Sequence, residues 1–273
     1  MMKLCLKAIT HRLEFMLAVL LEILLAIAAL LITIYGNNGA PAALSQPAYQ
    51  SNLLFSNALG QVIVLVLMPL CISLCCGDCL FLQMQNGLYQ LSIIRTGRRK
   101  YWCSFLAASA LAGSAIAVLP FLLSIGFALL AFPLDSGAGY LHYVGYRSTM
   151  LYAYDYTGHA WTALADSPYL MIAAMILLLG VMGALYAVVG CLLTPLFRKN
   201  RILAMLVLPA GILVGTFGLQ SFSLNRFVWF NYFVSSPELQ LDLKDLGMSL
   251  GIFALAAIGG LGIRLKVCRD EIS

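Results

Sequence analysis

Apolar runs alternate with polar connections six times along this chain. The runs cover about Leu13–Tyr35, Ala58–Cys76, Trp102–Phe132, Pro168–Phe197, Ile202–Leu219 and Leu246–Ile263. A helix rises about 1.5 Å per residue, so roughly 20 apolar residues cross a hydrocarbon layer about 30 Å thick. The pattern predicts an all-α integral membrane protein of six transmembrane helices, forming a single transmembrane domain over 1–273. Pro69 falls within the second run and Pro120 within the third. Proline is tolerated in a span because neighbouring helices can satisfy the carbonyl that it frees. The third run is long enough to imply tilt, a kink or an extension beyond the bilayer.

The connections differ in character. Gly36–Asn57 is polar, with Pro41 and Pro47, and reads as an outside loop. Gly77–Tyr101 mixes Phe81, Leu82, Met84, Leu88, Leu91, Ile93 and Ile94 with Gln83, Gln85, Asn86 and Gln90. That segment is too interrupted to span and suits a short helix at the membrane surface. Pro133–Ser167 carries Tyr140, Tyr143, Tyr146, Tyr152, Tyr154, Tyr156 and Trp161, which fits an aromatic belt at the headgroups or a lid over a path. Ser221–Glu238 is apolar but broken by Asn225, Arg226, Asn231 and Pro237, and reads as a re-entrant or interfacial element.

Charge orients the spans. Thirteen of the 16 Lys and Arg residues sit before the first run, after the second, after the fourth and after the sixth. Basic loops resist translocation, so the pattern predicts both termini in the cytoplasm. A chain 62% hydrophobic and 10% charged is no ordinary soluble domain, and its +5 net charge is consumed by topology rather than by nucleic acid. The first run is too long for a signal-peptide core and lacks a convincing cleavage site. All eight cysteines fall on the inner side or in the inner half of a span, which excludes an extracytoplasmic disulfide framework.

Few residues offer chemistry. Glu22 is the one carboxylate deep within a span, where an acidic group costs about 3 kcal/mol and usually faces protein or water. It suits proton coupling, a cationic cargo or a structural hydrogen bond. Cys71, Cys75 and Cys79 recur at four-residue steps beside Cys76 and Asp78, but zinc prefers four ligands and no histidine lies near. The expectation is therefore no metal site. No P-loop and no His-Glu-x-x-His motif occur, so neither nucleotide hydrolysis nor metalloprotease chemistry is expected of this chain. Gly211-x-x-x-Gly215, Gly247-x-x-x-Gly251, Gly180 and Gly183 mark candidate packing seams.

The stretch Phe81-Leu82-Gln83-Met84-Gln85-Asn86-Gly87-Leu88-Tyr89-Gln90-Leu91-Ser92-Ile93-Ile94-Arg95-Thr96-Gly97-Arg98-Arg99-Lys100-Tyr101 resembles the cytoplasmic segment of type-2 ABC exporter permeases. In that family a glycine-containing helix after span 2 ends in a basic turn that leads into span 3. Gln83 and Gln85 stand where members often carry an acid, and the helix before span 1 is short, Met1 to Arg12. The resemblance implies a membrane subunit of an ABC exporter in the bacterial inner membrane, non-catalytic itself. It implies partners too: two P-loop ATPase subunits that bind ATP and magnesium, and a second permease subunit, identical or homologous. Gln85, Gly87, Leu88, Leu91, Arg95, Gly97 and Arg98 would then contact the ATPase, and Phe55, Phe217 and Phe222, with Glu22, would line the path. The weakly polar spans favour an amphipathic or hydrophobic cargo such as a peptide, lipid-like molecule or drug. The alternatives are an ion- or proton-coupled secondary transporter using Glu22, and a non-transporting immunity or scaffold protein.

Overall fold

The computed structural model describes residues 1–36, 48, 51, 53, 63–134, 168–197, 200–224, 228 and 243–267. Within them every regular element is helical. Six helices are long and apolar enough to cross a membrane: Leu13–Tyr35, Met68–Gln85, Arg98–Ala131, Tyr169–Phe197, Arg201–Ser221 and Lys244–Gly262, hereafter spans 1 to 6. The chain is thus a multi-pass membrane protein whose described residues form only helices. The aromatic stretch 135–167, most of the element expected at 221–238, Phe55, and Arg198 with Lys199 lie outside the described residues.

Spans 2 and 4 form the centre, with 67% and 56% of their apolar windows buried, against 22% for span 1 and 17% for span 6. Span 4 packs most extensively on span 3. Glycine is required at that crossing. A Cβ on Gly113 would sit 2.6 Å from both the Ala187 methyl and the Gly183 carbonyl oxygen, and one on Gly183 would collide with Ala117. Small residues let two helix backbones approach, which maximises dispersion contact where no hydrophobic drive exists between helices. Gly180 lies on the same seam against Ser114 and Val118. Gly211, Gly215, Gly247 and Gly251, by contrast, have no neighbouring atom among the described residues within 4 Å of the place a Cβ would take.

Span 2 extends beyond Cys76 toward the end that carries Arg12 and Arg201. It runs from a π turn, Ile63–Leu67, through Met68–Ile72 and a second π turn, Ser73–Gly77, into Asp78–Gln85. The polar residues Asp78, Gln83 and Gln85 therefore continue the helix rather than begin a separate surface helix. The chain breaks only at Asn86-Gly87, where Gly87 takes φ +70°, a left-handed conformation that costs other residues about 1–2 kcal/mol. A separate helix, Leu88–Thr96, follows, and Gly97 at φ +77° turns the chain into span 3.

Span 3 is unbroken over 34 residues despite Pro120. At 1.5 Å per residue it is about 51 Å long, so it extends well beyond the hydrocarbon. Its first turns receive the N-terminal helix, Met2–Thr10, and the linker helix Leu88–Thr96.

Among the described residues, the ends of the spans that border the basic connections gather at one end of the bundle. Arg12, Asp78 and Arg201 touch there, a Cβ on Gly77 would meet Thr194 at 3.2 Å, and one on Gly260 would meet Leu192 at 3.2 Å. At the other end Ala48 donates its amide to the Pro133 carbonyl, and the Tyr169 hydroxyl donates to the Leu134 carbonyl.

Candidate functional site

The end of the bundle that carries the basic residues holds two arrangements. The first is the linker helix. Its outer face presents Leu88, Leu91 and Ile94, exposed by 52%, 55% and 78%, at three-residue steps. Gln85, Gln90, Arg95 and Gly97 are exposed around this stripe, while Gly87 and Arg98 are half-buried. The opposite face is anchored. Tyr89 meets the rings of Tyr101 and Trp102 edge-on, with centroids 5.4 and 6.0 Å apart, and Tyr101 stacks on Phe105. Such pairs are worth roughly 0.5–1.5 kcal/mol beyond area burial. The Tyr101 hydroxyl donates to Gln83 Oε1 at 2.6 Å, tying the end of span 2 to the start of span 3. A displacement of the linker helix must therefore move spans 2 and 3.

The second arrangement is a charge cluster. Asp78 is fully buried. Arg201 Nε donates to its Oδ1 at 2.6 Å and Arg201 Nη2 to its Oδ2 at 2.8 Å, a bidentate pair. Arg12 Nη2 donates to Oδ2 at 2.7 Å and also to Glu14 Oε1 at 2.9 Å. Glu14 reaches Arg201 at 3.4 Å, so two arginines and two carboxylates balance. Burial opposes the charge on Arg12, but the hydrogen bond and field of Asp78, aided by Glu14, outweigh it and its pKa is raised. The cluster joins three elements: the bend before span 1, the inner end of span 2 and the first residue of span 5. Asn200 fixes the last of these by accepting from the Ile202 and Leu203 amides at 3.1 and 3.3 Å, an N-cap.

Of the residues assigned to the path, Glu22, Phe217 and Phe222 are described. Glu22 is buried at 3% exposure in electrostatic reach of Cys71 and Cys75, and its Oε2 has no hydrogen-bond partner among the described residues. Phe217 and Phe222 are exposed by 59% and 79% at the end of span 5 remote from Arg201. A cavity of about 220 Å³ lies instead between spans 4, 5 and 6, lined by Val189, Leu208, Gly211, Ile212, Thr216 and Phe253 among others. None of Glu22, Phe217 and Phe222 lines it.

The cysteines act as small packing groups. Cys75 Sγ donates to the Glu14 carbonyl at 3.7 Å, Cys79 to that of Ala8 at 3.8 Å, and Cys76 to that of Ser109 at 3.7 Å. Among the described residues no three metal-ligating side chains converge. No protein family, curated protein or solved structure matches this chain.

Sequence reasoning treated Arg12 and Arg201 as topological charges and Asp78 as a bystander to the cysteines. One local signal was present: an aspartate two residues beyond an apolar run, in a chain with so few acids.

Proposed function

We propose that this chain is the membrane-spanning subunit of an ABC-type exporter, with its basic end and both termini in the cytoplasm. The observation that carries the reading is the linker helix. It bears an exposed apolar stripe, Leu88-Leu91-Ile94, on an element bounded by two positive-φ glycines and fastened to spans 2 and 3. An exposed apolar ridge among basic residues is the surface that a soluble partner can grip. Two ATPase subunits, binding ATP and magnesium, would grip it in a complex with a second permease subunit. ATP-driven closure of those subunits would press on Gln85, Leu88, Leu91 and Arg95 and pass the displacement to the bundle. The proposed cargo is amphipathic or hydrophobic, captured from the bilayer.

Affinity purification of the tagged chain from its native membrane tests the reading. A P-loop ATPase should copurify. Its recovery should fall at least tenfold when Leu91 and Ile94 are both replaced by Glu, or when Arg95 and Arg98 are, with cysteine accessibility confirming unchanged topology. Recovery of the chain with no ATPase would end the proposal.

Glu22 supports a second reading, because its Oε2 is buried without a partner inside a span. In that reading the chain is an ion- or proton-coupled transporter. It predicts transport by the chain alone in liposomes under an ion gradient, abolished by Glu22→Gln.

A further inference from the structure

Span 5 is held very differently along its length. Its inner end is fastened to span 2 at two levels. Arg201 grips Asp78, as described, and one turn outward the Ser73 hydroxyl donates to the Met205 carbonyl. Met205 stands four residues before Pro209, and its carbonyl is the one a helix would have paired with the amide that proline lacks. Span 2 thus donates a hydrogen bond at the break in the span 5 ladder.

Span 2 is shaped for this. Ser73 and Asp78 are five residues apart, a spacing that in an α-helix points side chains in different directions. The π turn Ser73–Gly77 follows the i→i+5 pattern, which brings residues five apart onto one face. Arg201 and Met205, four apart on an ordinary helix, match that face.

Beyond Pro209 no further polar link to span 2 follows among the described residues. There Gly211, Gly215 and Gly218 have no described atom within 4 Å of the place a Cβ would take, and Val214 and Phe217 are exposed by 72% and 59%. Ile212 and Thr216 turn instead toward the cavity shared with spans 4 and 6.

We propose that Pro209 is a hinge dividing span 5: residues 201–208 move with span 2 as one body through the Asp78–Arg201 and Ser73–Met205 links, while residues 211–221 swing and change the width of the cavity. Proline-broken ladders are common sites of helix bending. The inference is independent of what drives the motion and stands whether or not an ATPase binds.

Two measurements decide it, both on the full chain alone in lipid nanodiscs. In a background carrying Cys103→Ser and Cys268→Ser, spin labels at Gln85→Cys and Ile202→Cys read the inner part of span 5 against span 2. Labels at Leu170→Cys and Phe217→Cys read its outer part against span 4. The inner pair should give one narrow distance and the outer pair a broad or two-component distribution. Pro209→Ala should narrow the outer distribution and leave the inner one unchanged. A narrow outer pair in the parent protein, a broad inner pair, or no response to Pro209→Ala overturns the hinge.

The second measurement is a thermal double-mutant cycle. Ser73→Ala should lower Tm by about 2–4 °C in the Pro209 protein, and by less than half as much in Pro209→Ala, where the restored amide pairs with Met205. Equal losses in both backgrounds overturn the Ser73 link.

Discussion

Asp78 has no exposed surface and accepts from two arginines on other elements, so its replacement has a cost that can be anticipated. Asp78→Ala leaves Arg12, itself mostly buried, without its main partner. Removing one member of a buried ion pair typically costs about 3–5 kcal/mol, and the share of Arg201, 45% exposed, is reduced by solvent. The expected outcome is loss of the monodisperse species after mild heating, followed by size-exclusion chromatography. Replacing Asp78 and Arg12 together by Leu should recover part of the loss, because no unpaired charge remains. A second expectation concerns Cys5. Burial pushes its thiol pKa up, so less thiolate exists at any given pH than at an exposed thiol. Alkylation near pH 8 should therefore label exposed Cys103 well before Cys5, and the lag should shrink as pH rises. None of the partners of Asp78 was legible in the sequence. Arg12 lies 66 residues before it and Arg201 123 residues after, and only the folded bundle brings them together.

At the scale of elements, composition and periodicity were enough to locate five spans almost to the turn. The boundary of span 2 near Asp78 was missed because Asp78, Gln83 and Gln85 look solvated. Asp78 and Gln83 sit on a helix whose neighbours supply their partners, and Gln85 is its exposed last residue. The π turns were invisible for a related reason: a widened turn follows from what lies across the interface, not from local propensity. Of the glycines that marked candidate seams, Gly180 and Gly183 do pack on span 3, whereas Gly211, Gly215, Gly247 and Gly251 meet no described neighbour. The partner of Gly183 is Gly113, in a separate span with no shared motif. Gly113→Leu should therefore prevent spans 3 and 4 from docking and abolish the folded species, overpacking of about 1–3 kcal/mol being a lower bound where backbone meets backbone. Gly211→Leu should leave the isolated chain folded. Circular dichroism and gel filtration of the two variants separate them.

For the molecule as a whole, the alternation of basic and neutral connections foretold the arrangement that gathers the ends near Arg12, Asp78, Thr194 and Arg201. The linker segment was legible as amphipathic, and its apolar residues divide as expected of a docked helix, with Ile93 buried and Ile94 exposed. The cavity was not legible. It is lined by glycines and aliphatic residues with Thr216 and Phe253, which no sequence pattern distinguishes from ordinary span. If the cavity takes an apolar guest, Gly215→Phe should fill it and cut transport of a hydrophobic peptide several-fold without altering Tm, as measured by efflux from cells carrying the variant.

The two arginines on Asp78 also differ in when they exist. During synthesis Arg12 is already present as Asp78 emerges, whereas Arg201 follows 123 residues later, about 6–25 s at roughly 5–20 residues per second. Throughout that interval span 2 must settle beside span 1 with Arg12 as its only arginine partner. Arg12→Gln should therefore divert newly made chain to membrane proteases, seen as a shortened half-life in pulse-chase. Arg201→Gln should act later, on chains already inserted, and spare the early yield. The buried carboxylate thus sets an order of birth as well as a point of attachment.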